Sequence, residues 1–458
     1  MYPFSAAGAL LDRIAAGDHR HGPIRSDADV DPGPARDLLL DLGYVRADGG
    51  SGQLGSTAGD PETKANRCAL LSLAAGLDDV FELPLPYAPG VRFFGAMVSP
   101  ERYGIRDTNG NVGMAGRGLD RRRAFESCIG EAAEYLSFCE REDDPLIVPP
   151  PSAHGLTQAE LDWALSGLGA PGDLRPGDVQ WVEARSLPDG EGALFPCEIV
   201  LRRPEALRRG RRAAESTGIS AGATLDEAAL SALLEVVERD ALVLWWYGGN
   251  AARRIDTNGK NHPQFTALAE KVRGDQPRRW WLLELTSDLQ IPVVAALSSD
   301  AEGRGIVAGF KAHPSLATAM AGAFLEMCQM ELAHEISLAR MRSRGRGALS
   351  DKDQKWIERF ERLAVSAFPE LEGGIGSASS GEAAEGSTLE AVLSTLTNRG
   401  YRSYRVDLTR PKLEIPVVRV LVPGLQASNR EWVSPRLAAA LKANDRDPGE
   451  LENRPSLI

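Results

Sequence analysis

Two kinds of apolar pattern alternate along the 458 residues of this chain. Short runs rich in Val, Ile, Leu and Trp predict buried strands: VRFFGAMVS (91–99), GALFPCEIV (192–200), RRWWLLELT (278–286), IPVVAALSS (291–299) and IPVVRVLVP (415–423). Longer stretches at 121–140, 226–247 and 315–340 space their apolar residues as helices do, and so does KANRCALLSLAAGL from Lys64. The alternation predicts an α+β fold with internal pseudo-symmetric repeats of strands and helices.

Breaks in the pattern set the boundaries. The first 46 residues predict one or two short helices ending in LLLDLGYVRA, and ADGGSGQLGSTAGDPE follows as a Gly/Ser-rich break. Residues 1–61 are therefore expected to form a small extension and 62–430 the main domain. GGIGSASSGEAAEGS (373–387) is expected to be a flexible insertion in that domain, and 431–458 a polar tail with scattered prolines.

The three long helices repeat one motif. A glycine, eight residues and then Ser-x-x-x-Glu-x-x-Glu occur in GLDRRRAFESCIGEAAEY, from Gly118 to Glu134, and in GATLDEAALSALLEVVER, from Gly222 to Glu238. This spacing puts Ser127, Glu131 and Glu134 on one helical face, and likewise Ser231, Glu235 and Glu238. A degraded third copy, TAMAGAFLEMCQMEL, has Gly322 in the serine place, keeps Glu326 and replaces the last Glu with Gln329.

Glu235 and Glu238 sit among Leu233, Leu234, Val236, Val237, Leu242 and two tryptophans. An ionised carboxylate in such a setting must shift its pKa, pair with a cation or bind a metal. Glutamates at this spacing suggest Mg²⁺. A solvated helix face would explain any single copy, and Arg239 neutralising Glu235 at i,i+4 would make the second copy a structural ion pair. The ion pair does not explain the first copy, where Tyr135 holds the matching place.

Composition narrows the function. No apolar run is long enough to span a bilayer, and residues 1–20 lack a basic region before their short apolar patch, so a cytoplasmic, non-membrane protein is expected. A net charge of −12 argues against general nucleic-acid binding. The five cysteines form no CxxC pair, which indicates neither a zinc site nor a disulfide framework. LRRPEALRRGRRA (201–213) concentrates arginines that could hold a polyphosphate or an acidic peptide, or could form a solvated loop.

Glycine-bearing loops precede each motif helix: GMAGRGLD, STGISAG and RGIVAGF. Their backbone N–H groups suit phosphate at a helix N-terminus, although none matches GxxxxGKS or GxxxxGKT. Loops, arginines and carboxylates together describe an ATP–Mg²⁺ site of unusual construction.

The stretches GRGLDRRRAFESCIGEAAEY, STGISAGATLDEAALSALLEVVERDA and AMAGAFLEMCQ resemble, in order and approximate separation, the three nucleotide-binding motifs of the YcaO family. The resemblance implies an ATP- and Mg²⁺-dependent enzyme that phosphorylates the carbonyl oxygen of a peptide amide. Attack by the next Cys, Ser or Thr then gives an azoline, and attack by external sulfide gives a thioamide. It also implies that Arg117, Ser127, Ser231, Arg239 and Gln329 contact the nucleotide, while Glu131, Glu134, Glu235, Glu238 and Glu326 hold Mg²⁺.

Arg117 takes the place of a lysine often found between two glycines in the family. The expected partners are a precursor peptide, a separate leader-peptide-binding protein docked on residues 1–61, a flavin-dependent dehydrogenase and a second copy of the chain as a homodimer.

Two departures stand out. The family's first motif usually ends Glu-Arg, whereas here Tyr135 follows Glu134, so that one basic phosphate contact is either absent or supplied by Arg121, Arg122 or Arg123. The proline-rich tail of many azoline-forming members is replaced by NRPSLI. A non-catalytic nucleotide-binding scaffold is the alternative from another class. No general base is evident, since His313 and His334 near the third motif are ordinary structural candidates.

Overall fold

The computed structural model describes residues 61–457 except 84–87, 107–109, 148–153, 170–178, 209, 258–260, 274–277, 350, 375–387 and 429–431. The expected N-terminal extension and most of the expected insertion at 373–387 lie outside the described residues. The chain divides into two compact units: residues up to 84 with 91–232 and 404–420, and residues 85–90 with 233–403 and 421–458.

In the first unit, α1 (Pro61–Gly76) leads to an antiparallel sheet of β1 (Asp79–Leu83), β2 (Arg92–Val98) and β3 (Val112–Gly118). The next helix, α2 (Arg121–Phe138), starts where the Asp120 side chain accepts from the Arg123 N–H at 2.9 Å. It lies very close to β3. A Cβ on Gly116 would meet the Cys128 nitrogen at 2.1 Å, so only glycine lets helix and strand approach this closely.

The other sheet of this unit runs β5 (Gly192–Pro196), β4 (Trp181–Ser186), β11 (Tyr404–Asp407), β12 (Val417–Leu421), β6 (Ile219–Ala221). Helix α3 (Gln158–Ser166) begins in a capping box in which Glu160 accepts from the Thr157 N–H. The other Glu160 oxygen accepts from the buried Tyr404 hydroxyl at 2.9 Å, tying the helix to β11.

Two arginines of the expected basic cluster, Arg203 and Arg211, are internal. Glu198 is buried and pairs with Arg203 at 2.9 Å and with Arg211, while Arg203 also reaches Glu140 and Gln180. Arg203 and Arg211 are thus structural counterions, not a phosphate-binding surface. The expected strand at 192–200 stops at Pro196, which has no N–H to continue a ladder, and Cys197–Val200 forms a helical turn.

In the second unit, an antiparallel sheet runs β10 (Val307–Ala312), β9 (Val293–Ser299), β8 (Arg279–Glu284), β7 (Arg253–Arg254). The 29-residue α6 (Leu316–Arg344) packs on it with the same close approach: a Cβ on Gly309 would meet the Met327 nitrogen at 2.2 Å. Helix α5 (Pro263–Arg273) is joined to α6 by Arg273, which with Arg278 and the Ser298 hydroxyl surrounds the buried Glu331. Phe265, Trp280 and Phe324 add an edge-to-face aromatic cluster.

Helix α4 (Leu225–Trp246) carries the second motif, and the division between units falls within it. Thr224 caps it by accepting from the Glu227 N–H at 3.1 Å. The end of the chain is more structured than its polar composition predicts. Ser434 and Pro435 start α7 (Pro435–Ala443), Leu437 and Leu441 bury its inner face, and Leu451 and Leu457 are also buried. The Trp246 ring nitrogen donates to the Pro455 carbonyl at 2.8 Å, and the Arg454 guanidinium lies 3.9 Å from the centre of that ring.

Replacing Glu198 with Ala takes from Arg211 its buried carboxylate and from Arg203 one of the two it holds, so the variant is expected to lose about 3–5 kcal/mol of unfolding free energy. Urea denaturation of the wild type and E198A checks this; a midpoint unchanged at constant slope would sink the structural role of the cluster.

Candidate nucleotide and metal site

The candidate glutamates are held by strands, not merely displayed by helices. Among the described strands, β6 pairs only with β12 and β10 only with β9. In an antiparallel ladder, successive N–H groups point alternately toward and away from the partner strand. The Gly222 N–H bonds Pro416, so the Ala221 N–H faces outward, and Glu134 accepts from it at 2.8 Å. The His313 N–H bonds Pro292, so those of Ala312 and Phe310 face outward. Glu238 accepts from Ala312 at 3.3 Å, and Glu326 from Phe310 at 3.4 Å.

A correspondence follows from these contacts. The second glutamate of the first motif is gripped at the end of the strand entering the second motif helix, and that of the second motif at the end of the strand entering the third. The helix entries of the first two motifs match as well. A Cβ on Gly118 would meet the Ala124 nitrogen at 2.5 Å, and one on Gly222 would meet the Ala228 nitrogen at 2.5 Å, six residues on in both cases.

In the first unit, Glu131 is exposed on α2, while Ser127, Glu134 and Arg117 are half-buried. Arg117 sits on β3 opposite Phe93. Tyr135, where a basic residue was expected, lies under the guanidinium of Arg202 at 5.5 Å. Of the arginines expected to stand in for it, Arg121 pairs with Glu82 at 3.0 Å and Arg123 with Asp120 at 3.6 Å.

In the second unit, Glu238 is only 4% exposed, whereas Glu235, Arg239, Glu326 and Gln329 are half-buried. Ser231 is exposed on the preceding turn of α4, in the part belonging to the first unit. The i,i+4 ion pair foreseen between Arg239 and Glu235 is present at 3.5 Å, and Arg239 also approaches Glu238 at 3.4 Å. Burial works against the Arg239 charge, but Glu238, Glu235 and Glu326 outweigh it and hold the guanidinium above its ordinary range.

Burial, with Glu326 and Glu235 nearby, pushes Glu238 up to about 7, against the pull of Arg239 and Lys311. Mutually repelling carboxylates, one of them buried, fit a divalent cation: the donors are hard oxygens, and the cation would relieve the repulsion that now favours a proton. Among the described residues, no three acidic, His or Cys side chains already converge into a closed set of ligands.

Lys311 and Arg202 are absent from the residues singled out by motif. Lys311 follows the third glycine loop and interrupts a buried strand, a signal visible in the sequence. Arg202, one of the basic run 201–213, reaches Tyr135 from far along the chain, and nothing local announces that contact. His313 accepts from the Ser315 N–H at the start of α6, and the buried His334 packs on Phe360 with its pKa brought down to about 4 by burial, Arg278 and Arg359. Both positions are structural ones.

The fold is α+β, and in each unit a motif glutamate is anchored on a strand amide. The chain belongs to the YcaO family: the family model, YcaO cyclodehydratase, ATP- and Mg²⁺-binding, matches residues 115–426. An uncharacterized protein of Methanothermobacter thermautotrophicus is 28% identical over 336 residues, covering 68% of this chain and 81% of its own length. An uncharacterized protein in the tfuA 3′ region of Rhizobium leguminosarum bv. trifolii is 24% identical over 331 residues, covering 68% of this chain and 76% of its own.

Among solved structures, a heterocyclase in complex with substrate and cofactor matches 85% of this chain with a TM-score of 0.65 at 19% identity. The match spans 56% of that longer chain. YcaO from Methanopyrus kandleri, bound with AMPPCP and Mg²⁺, matches 76% of this chain and 85% of its own, with a TM-score of 0.53 at 22% identity. These likenesses establish the fold. Among the described residues, no helix is long and apolar enough to cross a membrane.

Because the Glu238 carboxyl titrates near 7, Mg²⁺ binding at about pH 6.5 is expected to displace its proton, and affinity to weaken as pH falls through that range. Calorimetry of Mg²⁺–ATP binding in buffers of different ionisation enthalpy measures the release. It should disappear in E238Q, and its absence from the wild type would rule out Glu238 as the displaced acid.

Proposed function

We propose that this chain uses ATP and Mg²⁺ to activate backbone amides of a ribosomally made precursor peptide and closes the following Cys, Ser or Thr side chain into an azoline. The observation that carries the reading is the pair of equivalent grips, Glu134 on Ala221 and Glu238 on Ala312. They fix carboxylates at corresponding places of two motif helices, as metal ligands require and as solvated helix faces do not.

Glu131, Glu134, Glu235, Glu238 and Glu326 would hold Mg²⁺. Arg117, Ser127, Ser231, Arg239 and Gln329 would contact the nucleotide. Mg²⁺–ATP would supply a phosphoryl group to the amide oxygen; the thiol or hydroxyl would bond the amide carbon as it loses its proton, and phosphate would leave with that oxygen as the amide nitrogen gives up its proton to form the C=N bond. Arg239, fixed between two carboxylates, would place a permanent cation beside the phosphates.

A separate leader-binding protein docked on residues 1–61, a flavin-dependent dehydrogenase and a second copy of the chain complete the proposed assembly. In support, two of the matched structures are the E. coli microcin synthetase McbBCD complex, one with pro-MccB17 bound. Both match at 16% identity.

Calorimetry of Mg²⁺–ATP binding to the wild type, E131A and E235A, with circular dichroism confirming that each is folded, tests the site. Loss of binding in both folded variants is expected. Mass spectrometry of the precursor peptide then reads the outcome: loss of water marks an azoline, exchange of oxygen for sulfur a thioamide. ATP binding without modification of the peptide in the presence of the partner protein would favour a non-catalytic scaffold.

A further inference from the structure

The third motif helix departs from the other two where they carry serine, and the structure gives the reason. A Cβ on Gly322 would lie 2.7 Å from Cγ of Lys311, with Lys311 Cβ and Cδ at 3.2 and 3.3 Å. These atoms belong to the stem of the lysine, not to its mobile end, so a serine here would push the whole side chain aside. Residue 322 is bare backbone, and the space that Ser127 and Ser231 would lead one to fill with a hydroxyl is taken by a cation's aliphatic stem.

Lys311 occupies a revealing place on β10. Its neighbours Phe310 and Ala312 donate the N–H groups that hold Glu326 and Glu238. It is the half-buried residue of a strand whose other five positions are buried. Its charge bears on Glu238 and, together with burial, lowers the pKa of His313. Among the described residues it nonetheless makes no ion pair or side-chain hydrogen bond, in contrast to Arg239, which engages two carboxylates. A half-buried lysine whose charge reaches the buried Glu238 without bonding to it is placed to serve an anion that arrives with the metal.

We propose that Lys311 is a phosphate ligand of the bound nucleotide, its ammonium contacting the terminal phosphate oxygens in place of the serine hydroxyl missing from the third motif. The inference rests on the ATP–Mg²⁺ reading of the site. It adds a residue that the motif comparison leaves out, and it explains why the third copy carries glycine.

The test is calorimetric binding of Mg²⁺–ATP and of AMP to the wild type, K311M, K311R and G322S, with thermal unfolding of each. K311M retains the stem and loses the charge; ATP affinity is expected to fall roughly ten- to a hundredfold while AMP affinity and the unfolding midpoint hold. K311R should recover part of the loss. G322S keeps the charge but displaces the stem, and should weaken ATP selectively; it carries the test if K311M does not fold. Unchanged ATP affinity in K311M or G322S, or equal losses for ATP and AMP, would overturn the assignment. A wild type that binds no Mg²⁺–ATP would instead overturn the nucleotide site itself, and this role with it.

Discussion

The candidate site depends on the grip of end-strand amides on helix carboxylates. A strand at the end of a sheet has a row of outward N–H groups that must find acceptors, and a carboxylate near an apolar core must find donors. In this chain the two needs meet: Ala221 holds Glu134, Ala312 holds Glu238 and Phe310 holds Glu326. Charge-assisted bonds of this kind are stronger than neutral ones, and they fix the carboxylate to a rigid element instead of a flexible stem. Fixing ligand oxygens before the metal arrives is what a metal site needs from its protein.

The grip is available because glycine brings helix and strand together. Gly309 touches the backbone of α6 at Ala323 and Met327, and on that same helix Glu326 reaches the adjacent Phe310 amide. Any larger residue at 309 would lift the helix from the strand and take the carboxylate out of hydrogen-bond range. Gly116 makes the equivalent approach between β3 and α2. The glycines in the loops before the motif helices suggest phosphate binding, yet these two work as spacers that set helix height above a sheet.

The sequence made legible whatever was local and periodic. The three motif helices stand where their helical spacing placed them, with α6 running on to Arg344 before Gly345, and four of the five apolar runs became strands at about their expected limits. The fifth broke at Pro196. The non-local features were hidden. Arg203 and Arg211 read as a basic surface because their counterion, Glu198, is an unremarkable residue inside an apolar run. The C-terminal segment read as a polar tail because its buried leucines are spaced by a short helix and then a loop, and their partners lie elsewhere in the chain. Lys311 was passed over for a different reason: motif comparison looks along helices, and the lysine, visible as a break in an apolar run, enters from a strand.

The three copies form an ordered series, not three equivalent units. The second glutamate of the first copy depends on the strand that opens the second copy, and that of the second on the strand that opens the third. The sequence carries no fourth copy, and at the corresponding place of the third stands Gln329. A carboxylate there would need a donor from outside the series, whereas an amide side chain brings donor and acceptor of its own. Gly322, which looks like erosion of a motif, is an accommodation: the last helix of the series must meet a lysine from the strand before it.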